Sequence, residues 1–554
     1  MLRLFKNPLF WLSLYFLIVL SGVSLSIPIQ VIPDETAQLL NVYAIIQNKS
    51  LILPYETYYT VWVHLSLLPF TIIYWGVEYL IQGLPDVTSF SKYVASNYMD
   101  VLPFLRGASA LMFIVSTVLV SNVVRYYWSN LAARFFICFV LLDLLLFINL
   151  HYSKHWIIDI SWVFLSIFLY WRYLITQKIT IFCFAIIAFS LGVFSSHPLV
   201  IAGLYPLLMM INAKLSIKLF LRDLIIFLII FFIFFFATIY FGAGKIIGQL
   251  VTGGSSDQVG FHLSLIPTFI KSLFDYNPLL TSIFFFTTVF AILRRKIILL
   301  LLTIPFIGYL LLIASFHYEP RYGLFLVVSM SLVSAIFVSQ LRSNKAKYVL
   351  VMSVVLLNIY YLISWHLIAI EKDTRTIASE WVLENIDEKS FVIYNTVGFN
   401  YIPLARKGIE FVDNNFPNTI GTREKLHLSM NLDDGINGLI LRRIDESNHK
   451  GNDFIGALIQ NGFKPILLNE RYGYDAYFFQ PAPTAYNQIL NSCEFFVRKK
   501  ILPYRLNEIP KDFERYGDIL YNFTSVFYAL RVFSRPGPIM TIYEFNEVQP
   551  DSCI

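Results

Sequence analysis

Charge is scarce in this sequence of 554 residues. Only 14% of it is Asp, Glu, Lys or Arg, while 57% is hydrophobic. A soluble domain carries about 25% charged residues, so a polytopic membrane protein is indicated. Cysteine is scarce as well, with four in the chain. Cys138 and Cys183 fall in apolar runs and read as packing residues. Cys493 and Cys553 fall in the polar tail, where a disulfide stays open to them. No cysteine spacing of the metal-binding type occurs. The tail lacks a nucleotide-binding glycine pattern, and no repeat is evident. Nothing in the charge distribution suggests nucleic acid, because the basic residues sit in short loops between apolar runs.

What the chain has in abundance is apolar and aromatic sequence, with 51 Phe and 34 Tyr, which suits lipid-facing and interfacial positions. Runs of spanning length are expected near residues 8–27, 107–124, 135–150, 157–171, 179–194, 197–211, 224–241, 278–293, 297–315, 322–340 and 348–370. The first, about 19 apolar residues long, exceeds a signal-peptide core and fits an uncleaved spanning helix. A further stretch, 61–81, carries His64, Pro69 and Glu78. It is expected to be interfacial or re-entrant within a first outer loop, 28–106. Asp143 lies inside a run, where a carboxylate is a functional suspect by default. Its expected role is to satisfy a polar group on a neighbouring helix.

Short basic loops assign the sides. Arg3/Lys6, Arg125/Arg134, Arg172/Lys178, Lys214/Lys218/Arg222, Arg294/Arg295/Lys296 and Arg342/Lys345/Lys347 mark the cytoplasm. Residues 1–370 hold 22 basic and 12 acidic residues, and residues 371–554 hold 20 and 24. A basic membrane domain, 1–370, is therefore expected to precede a mildly acidic extracytoplasmic domain, 371–554. The N-terminus is expected in the cytoplasm, and a plasma or inner membrane is the expected location. The tail reads as α/β. Residues 377–385, 453–461 and 484–497 have helical patterning. Strands are expected at Phe391–Asn395, Gly438–Leu441 and Pro465–Asn469, with a closing hairpin over Arg531–Glu544 that turns at a Pro-Gly.

The outer loops gather the polar residues. Pro33-Asp34-Glu35 follows the first helix. His151-Tyr152-Ser153-Lys154 leads to Asp159. Ser195-Ser196-His197-Pro198 closes a later run, and Tyr318-Glu319-Pro320-Arg321-Tyr322 opens another. Carboxylates suit deprotonation of an acceptor hydroxyl. Cations suit a leaving phosphate. Apolar helices suit a lipid tail. Together they fit transfer of a sugar from a lipid-phosphate carrier, inverting at the anomeric carbon.

Those motifs, with Thr374-Arg375 and Ala378-Ser379-Glu380-Trp381 further on, resemble the GT-C superfamily of membrane glycosyltransferases. The likeness is to the branch shared by protein O-mannosyltransferases and bacterial aminoarabinose transferases, over residues 1 to about 390. It implies an α-helical fold of about 11 spans with a soluble α/β domain. It implies Asp34 as general base, with Glu35 orienting the acceptor or Asp34. Asp159 would aid acceptor placement or a metal, unless it only complements its helix's N-terminal charge. Arg321 with Tyr322 would bind the carrier phosphate, unless Arg321 pairs with Glu319 or a headgroup. Lys154 is phosphate-directed or snorkels, and His197 stands where relatives often have Lys. Relatives also carry Lys-Pro-Pro or His-Pro-Pro where this chain has Pro54-Tyr55-Glu56. The implied partners are a polyprenyl-phosphate sugar, membrane lipid and an acceptor glycan, lipid or protein. No cofactor is required, with a divalent metal on Asp34 and Asp159 left open. A lipid-linked oligosaccharide ligase or polymerase is the main alternative. A transporter would instead line a midplane path with ionisable residues.

Overall fold

The computed structural model describes residues 8–23, 39, 42, 45–46, 49–51, 61–83, 87–152, 155–213, 217–241, 263–314, 320–371, 374–395, 405–416, 420, 428, 435–440, 451–471, 474–475, 480–481, 497–500 and 539–545. Asp34, Glu35, Lys154, Cys493 and Cys553 lie outside them. The chain divides into two compact units, one of Met1–Val23, Ala37–Val87 and Val101–Ile363, the other of Ser24–Thr36, Thr88–Asp100 and Ser364–Ile554.

Helices build the first unit. They are α1 (Pro8–Ser21), α2 (Val61–Gln82), α3 (Val87–Tyr127), α4 (Asn130–Leu141), α5 (Leu144–Leu150), α6 (His155–Thr176) and α7 (Ile179–Ser195). A 3-10 helix, His197–Gly203, leads into α8 (Leu204–Ala213), followed by α9 (Ile217–Tyr240), α10 (Leu265–Tyr276), α11 (Pro278–Leu293) and α12 (Ile297–Ile313). A second 3-10 turn, Pro320–Gly323, opens α13 (Leu324–Gln340), and α14 (Asn344–Ala369) follows. Among the described residues, six helices are long and apolar enough to cross a membrane. They are α2, α3 from Val101, α6, α9, α13 with its 3-10 turn, and α14. The multi-pass character holds, while α1, α7, α11 and α12 fall among shorter apolar helices of 10–17 residues.

Burial separates the core from the periphery. Every residue of α13 from Leu324 to Val338 is buried. A helix apolar all round belongs inside a bundle, and Ser329, Ser331 and Ser334 let neighbours approach closely. The Tyr205 hydroxyl of α8 donates to the Ser329 hydroxyl at 3.3 Å. In α9 only 6% of the apolar window is buried, so its Ile and Phe residues face outward, as lipid contact requires.

Three segments add detail to the expected runs. Residues 61–81 form one continuous helix, α2, without a reversal. Its inner face buries His64, Ser66, Thr71 and Glu78, while Ile72, Ile73, Val77, Leu80 and Ile81 are exposed. An interfacial helix shows polar groups to water. An apolar outer face fits lipid contact, and Val61–Ile81 is long and apolar enough to cross a membrane. Val101–Arg106, at the end of the expected outer loop 28–106, belong to the apolar part of α3. The 135–150 run is broken into α4 and α5, bent by 62°. The outer loop before Asn277 contains the helix α10, which apolar runs alone did not reveal.

The break between α4 and α5 is built by Asp143. Its Oδ1 caps α5, accepting from the Leu145 and Leu146 N–H groups at 3.0 and 3.2 Å. Its Oδ2 accepts from Asn277 Nδ2 at 2.9 Å. Asn277 in turn caps α11. One carboxylate thus fixes two helix starts, as an N-cap does.

The second unit contains α15 (Thr374–Asn385), α16 (Arg406–Asn415), α17 (Gly451–Gln460) and a five-stranded sheet. Its strands are β1 (Ser390–Asn395), β2 (Asn437–Ile440), β3 (Lys464–Arg471), β6 (Val497–Lys500) and β7 (Ile539–Phe545). A separate antiparallel pair joins β4 (Tyr474–Asp475) to β5 (Gln480–Pro481). The sheet order is β2-β1-β3-β7-β6. β1 pairs in parallel with β2 and β3, and β7 runs antiparallel to β3 and β6. The second arm of the expected hairpin is β7, whose observed neighbours are β3 and β6. The first arm, 531–535, lies outside the described residues. The helix expected over 484–497 falls outside them except for Val497, which opens β6.

Candidate functional site

The start of α6 is where the expected residues meet. Trp156 and Asp159 stand three residues apart, a spacing that puts both on one helix face. Close packing fixes that face. An added Cβ on Gly192 of α7 would lie 2.9 Å from the Asp159 carbonyl oxygen and 2.9 Å from Val163 Cγ2. Only glycine lets the two helices come this near. Residues His155 to Ser161 are all buried, so the start of α6 is enclosed on every side.

Asp159 is fully buried, at 0% exposure, and neither carboxylate oxygen has a hydrogen-bond partner among the described residues. Ser195 at the end of α7 is its polar neighbour, placed to interact with the carboxyl but not in full hydrogen-bond geometry. Tyr309 of α12 lies within electrostatic reach of both Asp159 and Tyr322. Asp159 does not cap its helix, which removes the simplest structural account of it. The other end of α6 shows the contrast. Tyr173 donates to Asp223 Oδ2 at 2.6 Å, and Arg222 donates to Asp223 Oδ1 at 2.8 Å. Asp223 is thereby satisfied, and Asp159 is not. A bare buried carboxylate costs several kcal/mol, so a structure that keeps one points to a ligand or a proton.

Arg321 approaches the same helix start from the 3-10 turn before α13. Its guanidinium carbon lies 4.3 Å from the Trp156 ring centre and 5.9 Å from that of Tyr322. Trp156 and Tyr322 meet edge to face at 6.2 Å. Both distances are in cation–π range. The planar guanidinium keeps N–H donors of the kind that grip carboxylate or phosphate.

The structure therefore brings Arg321 and Tyr322, from one motif, to the start of the helix that carries Asp159, from a distant one. It adds Trp156, Ser195 and Tyr309. Trp156 reads as an ordinary apolar residue in the sequence, since its partner comes from a remote segment. His197 begins the 3-10 helix two residues beyond Ser195 and is partly buried, without a contact that ties it to Arg321. Asp34, Glu35 and Lys154 lie outside the described residues. Among the described residues no group of three His, Cys, Asp or Glu is arranged to hold a metal ion.

No family model matches the chain. No curated protein matches it either. Among solved structures, the chain is similar to ArnT from Cupriavidus metallidurans bound to undecaprenyl phosphate. That similarity has a TM-score of 0.49 and 9% identity, over 97% of this chain and 98% of that one. ArnT in the apo state gives a TM-score of 0.47 and 10% identity, over 88% and 96%. The oligosaccharyltransferase AglB from Archaeoglobus fulgidus, in complex with an inhibitory peptide and a dolichol-phosphate, gives 0.41 and 9%, over 97% and 88%. Likeness of this degree assigns no residue its role.

Proposed function

We propose that the chain is an inverting glycosyltransferase that moves a sugar from a polyprenyl-phosphate carrier to an acceptor at the extracytoplasmic membrane face. The observation that carries this reading is the start of α6. A buried carboxylate without a hydrogen-bond partner among the described residues, Asp159, and a cation over an aromatic ring, Arg321, come there from separate sequence motifs. One charge of each sign suits a reaction in which a hydroxyl is deprotonated as an anionic phosphate departs.

In this mechanism the Asp34 carboxylate accepts the acceptor's hydroxyl proton. The acceptor oxygen bonds to the anomeric carbon as the bond from that carbon to the phosphate oxygen breaks. The phosphate leaves with the electron pair and remains on its lipid. Arg321 stabilises that charge by in-plane hydrogen bonds, with Tyr322, Lys154 and His197 as further donors. Asp159 positions the acceptor, and Glu35 orients Asp34. No step requires a metal. In this reading the second unit is an extracytoplasmic α/β module. A transporter reading loses its best support at Asp143, because that carboxylate is engaged by two backbone N–H groups and Asn277.

Purified protein in lipid, given a polyprenyl-phosphate sugar, tests the reading. Asp34→Asn should insert normally and lose about 100-fold or more in kcat, the usual scale for a lost general base. Arg321→Ala should raise the donor KM by about tenfold or more. Transfer retained by Asp34→Asn removes it as the base, and unchanged donor KM moves the phosphate contact elsewhere.

A further inference from the structure

Trp162 follows Asp159 by three residues on α6. A helical side chain covers the turn before its own Cα, so the Trp162 indole belongs to the turn that carries Ile158 and Asp159. It packs against a buried cluster of Val42, Leu67 and Ile158, of which Leu67 comes from α2. Trp162 Nε1 donates to the Ser66 hydroxyl of α2 at 2.9 Å. Ser66 in turn donates to the Trp62 carbonyl oxygen at 2.9 Å.

The same arrangement repeats between α2 and α9. Trp62 Nε1 donates to the Thr238 hydroxyl at 2.6 Å, and Thr238 donates to the Phe234 carbonyl oxygen at 2.8 Å. In both pairs the hydroxyl hydrogen is committed to the carbonyl four residues back, which leaves a lone pair for the indole. Ser66 is 4% exposed and Thr238 8%, so both acceptors are shielded from solvent. Hydrogen bonds of this kind tie helices together where the surroundings are apolar.

The contacts continue back to α6. The Trp62 ring lies 4.5 Å from that of Phe234, and Phe234 stacks with Phe194 of α7 at 6.4 Å. Phe194 precedes Ser195, the polar neighbour of Asp159. Gly192 then brings α7 onto α6 at the Asp159 carbonyl. The path α6–α2–α9–α7 thus begins and ends at the Asp159 turn.

We propose that Trp162 and Trp62 are positioning residues, which hold the Asp159 turn of α6 beside Ser195 through their indole bonds to Ser66 and Thr238. Neither touches a reacting atom. Both act on Asp159, and in this respect the inference rests on the glycosyltransferase reading above.

Two measurements on the full chain in lipid test it. The first is backbone hydrogen exchange, which needs no activity. Trp162→Phe, Trp62→Phe and Ser66→Ala should each speed exchange over Asp159–Val163 threefold or more. Exchange over Trp171–Thr176, where Tyr173 is held by Asp223, should stay within twofold. A smaller effect at the Asp159 turn overturns the proposal, and so does an equal rise at both ends of α6. Trp162→Phe combined with Ser66→Ala should match either single variant within twofold, since both remove one bond. Multiplied effects would show that the bond is not what holds the turn. The second measurement is sugar transfer from a polyprenyl-phosphate sugar. Trp162→Phe and Trp62→Phe should each lower kcat threefold or more with the donor KM within twofold. A smaller loss of kcat, or a donor KM that rises in step with it, overturns the positioning role. If the parent transfers no sugar while exchange responds at the Asp159 turn alone, the brace stands and the glycosyltransferase reading falls.

Discussion

Asp143 and Asp159 are both buried carboxylates among apolar helices, and their partners decide what each is for. Asp143 has two N–H groups and the Asn277 amide, and Asp159 has none among the described residues. Removal of the first should therefore cost stability. Asp143→Ala loses an N-cap, worth about 1 kcal/mol, and leaves the buried Asn277 amide without its acceptor, worth about 1–3 kcal/mol. Asp159→Asn removes no hydrogen bond among the described residues and should leave stability within about 1 kcal/mol of the parent. It should nonetheless cut sugar transfer tenfold or more. Thermal unfolding in detergent and transfer assays on the same two variants read this crossed pattern. An Asp159→Asn variant that unfolds as easily as Asp143→Ala would make Asp159 a structural residue. The sequence showed Asp143 inside an apolar run and Asp159 at the head of one, but not this difference in partners, because Asn277 comes from a segment far along the chain.

At the scale of single elements, legibility followed the kind of signal. The run expected at 278–293 is α11, residue for residue, because Asn277 and Pro278 mark its start and Arg294-Arg295-Lys296 its stop. β1, β3 and α15 stand near their expected places for similar reasons of alternation and turn chemistry. The amphipathic α10 escaped a search for wholly apolar runs, since it keeps Lys271 at the surface and buries Phe269, Ser272, Leu273 and Tyr276. That helix also carries a testable titration. Burial pushes the Asp275 carboxyl up to about 6, against the opposing pull of Lys271, and Tyr361 lies within electrostatic reach. A carboxyl raised on folding contributes stability in its neutral form. That contribution is complete below the unfolded value, near pH 4, and is lost as pH rises through about 6. Asp275 is partly exposed, so screening reduces the effect to about 1 kcal/mol. The parent should lose that much stability between pH 4 and pH 7.5, and Asp275→Asn should flatten the slope. Equal slopes for the two would show that Asp275 does not control it.

At the scale of the whole molecule, the proposed reaction imposes a rule of parity. The segments carrying Asp34, Lys154 and Arg321 must all face the outer side. Between Asp34 and Lys154 the chain passes α2, α3 and the bent pair α4–α5. An even number of these must cross. Both α2 and α3 have the length and apolar face of spans, and α4–α5 is bent by 62° at Asp143. If α2 crosses, the bent pair is the element that turns back, and Arg125 and Arg134 lie outside, against the usual preference of basic loops. If the bent pair crosses, α2 does not, and the basic-loop assignment survives. Single cysteines at Ser26, Ser153 and Ser315, probed with a membrane-impermeant maleimide in right-side-out vesicles, should all label from outside. A split among the three would separate the base from the phosphate-binding cation and rule out a shared site. A cysteine at Gly83 then decides between the two routes. Labelling from the cytoplasm assigns the turn to α4–α5, where Asp143 and Asn277 hold the bend, and labelling from outside assigns it to α2.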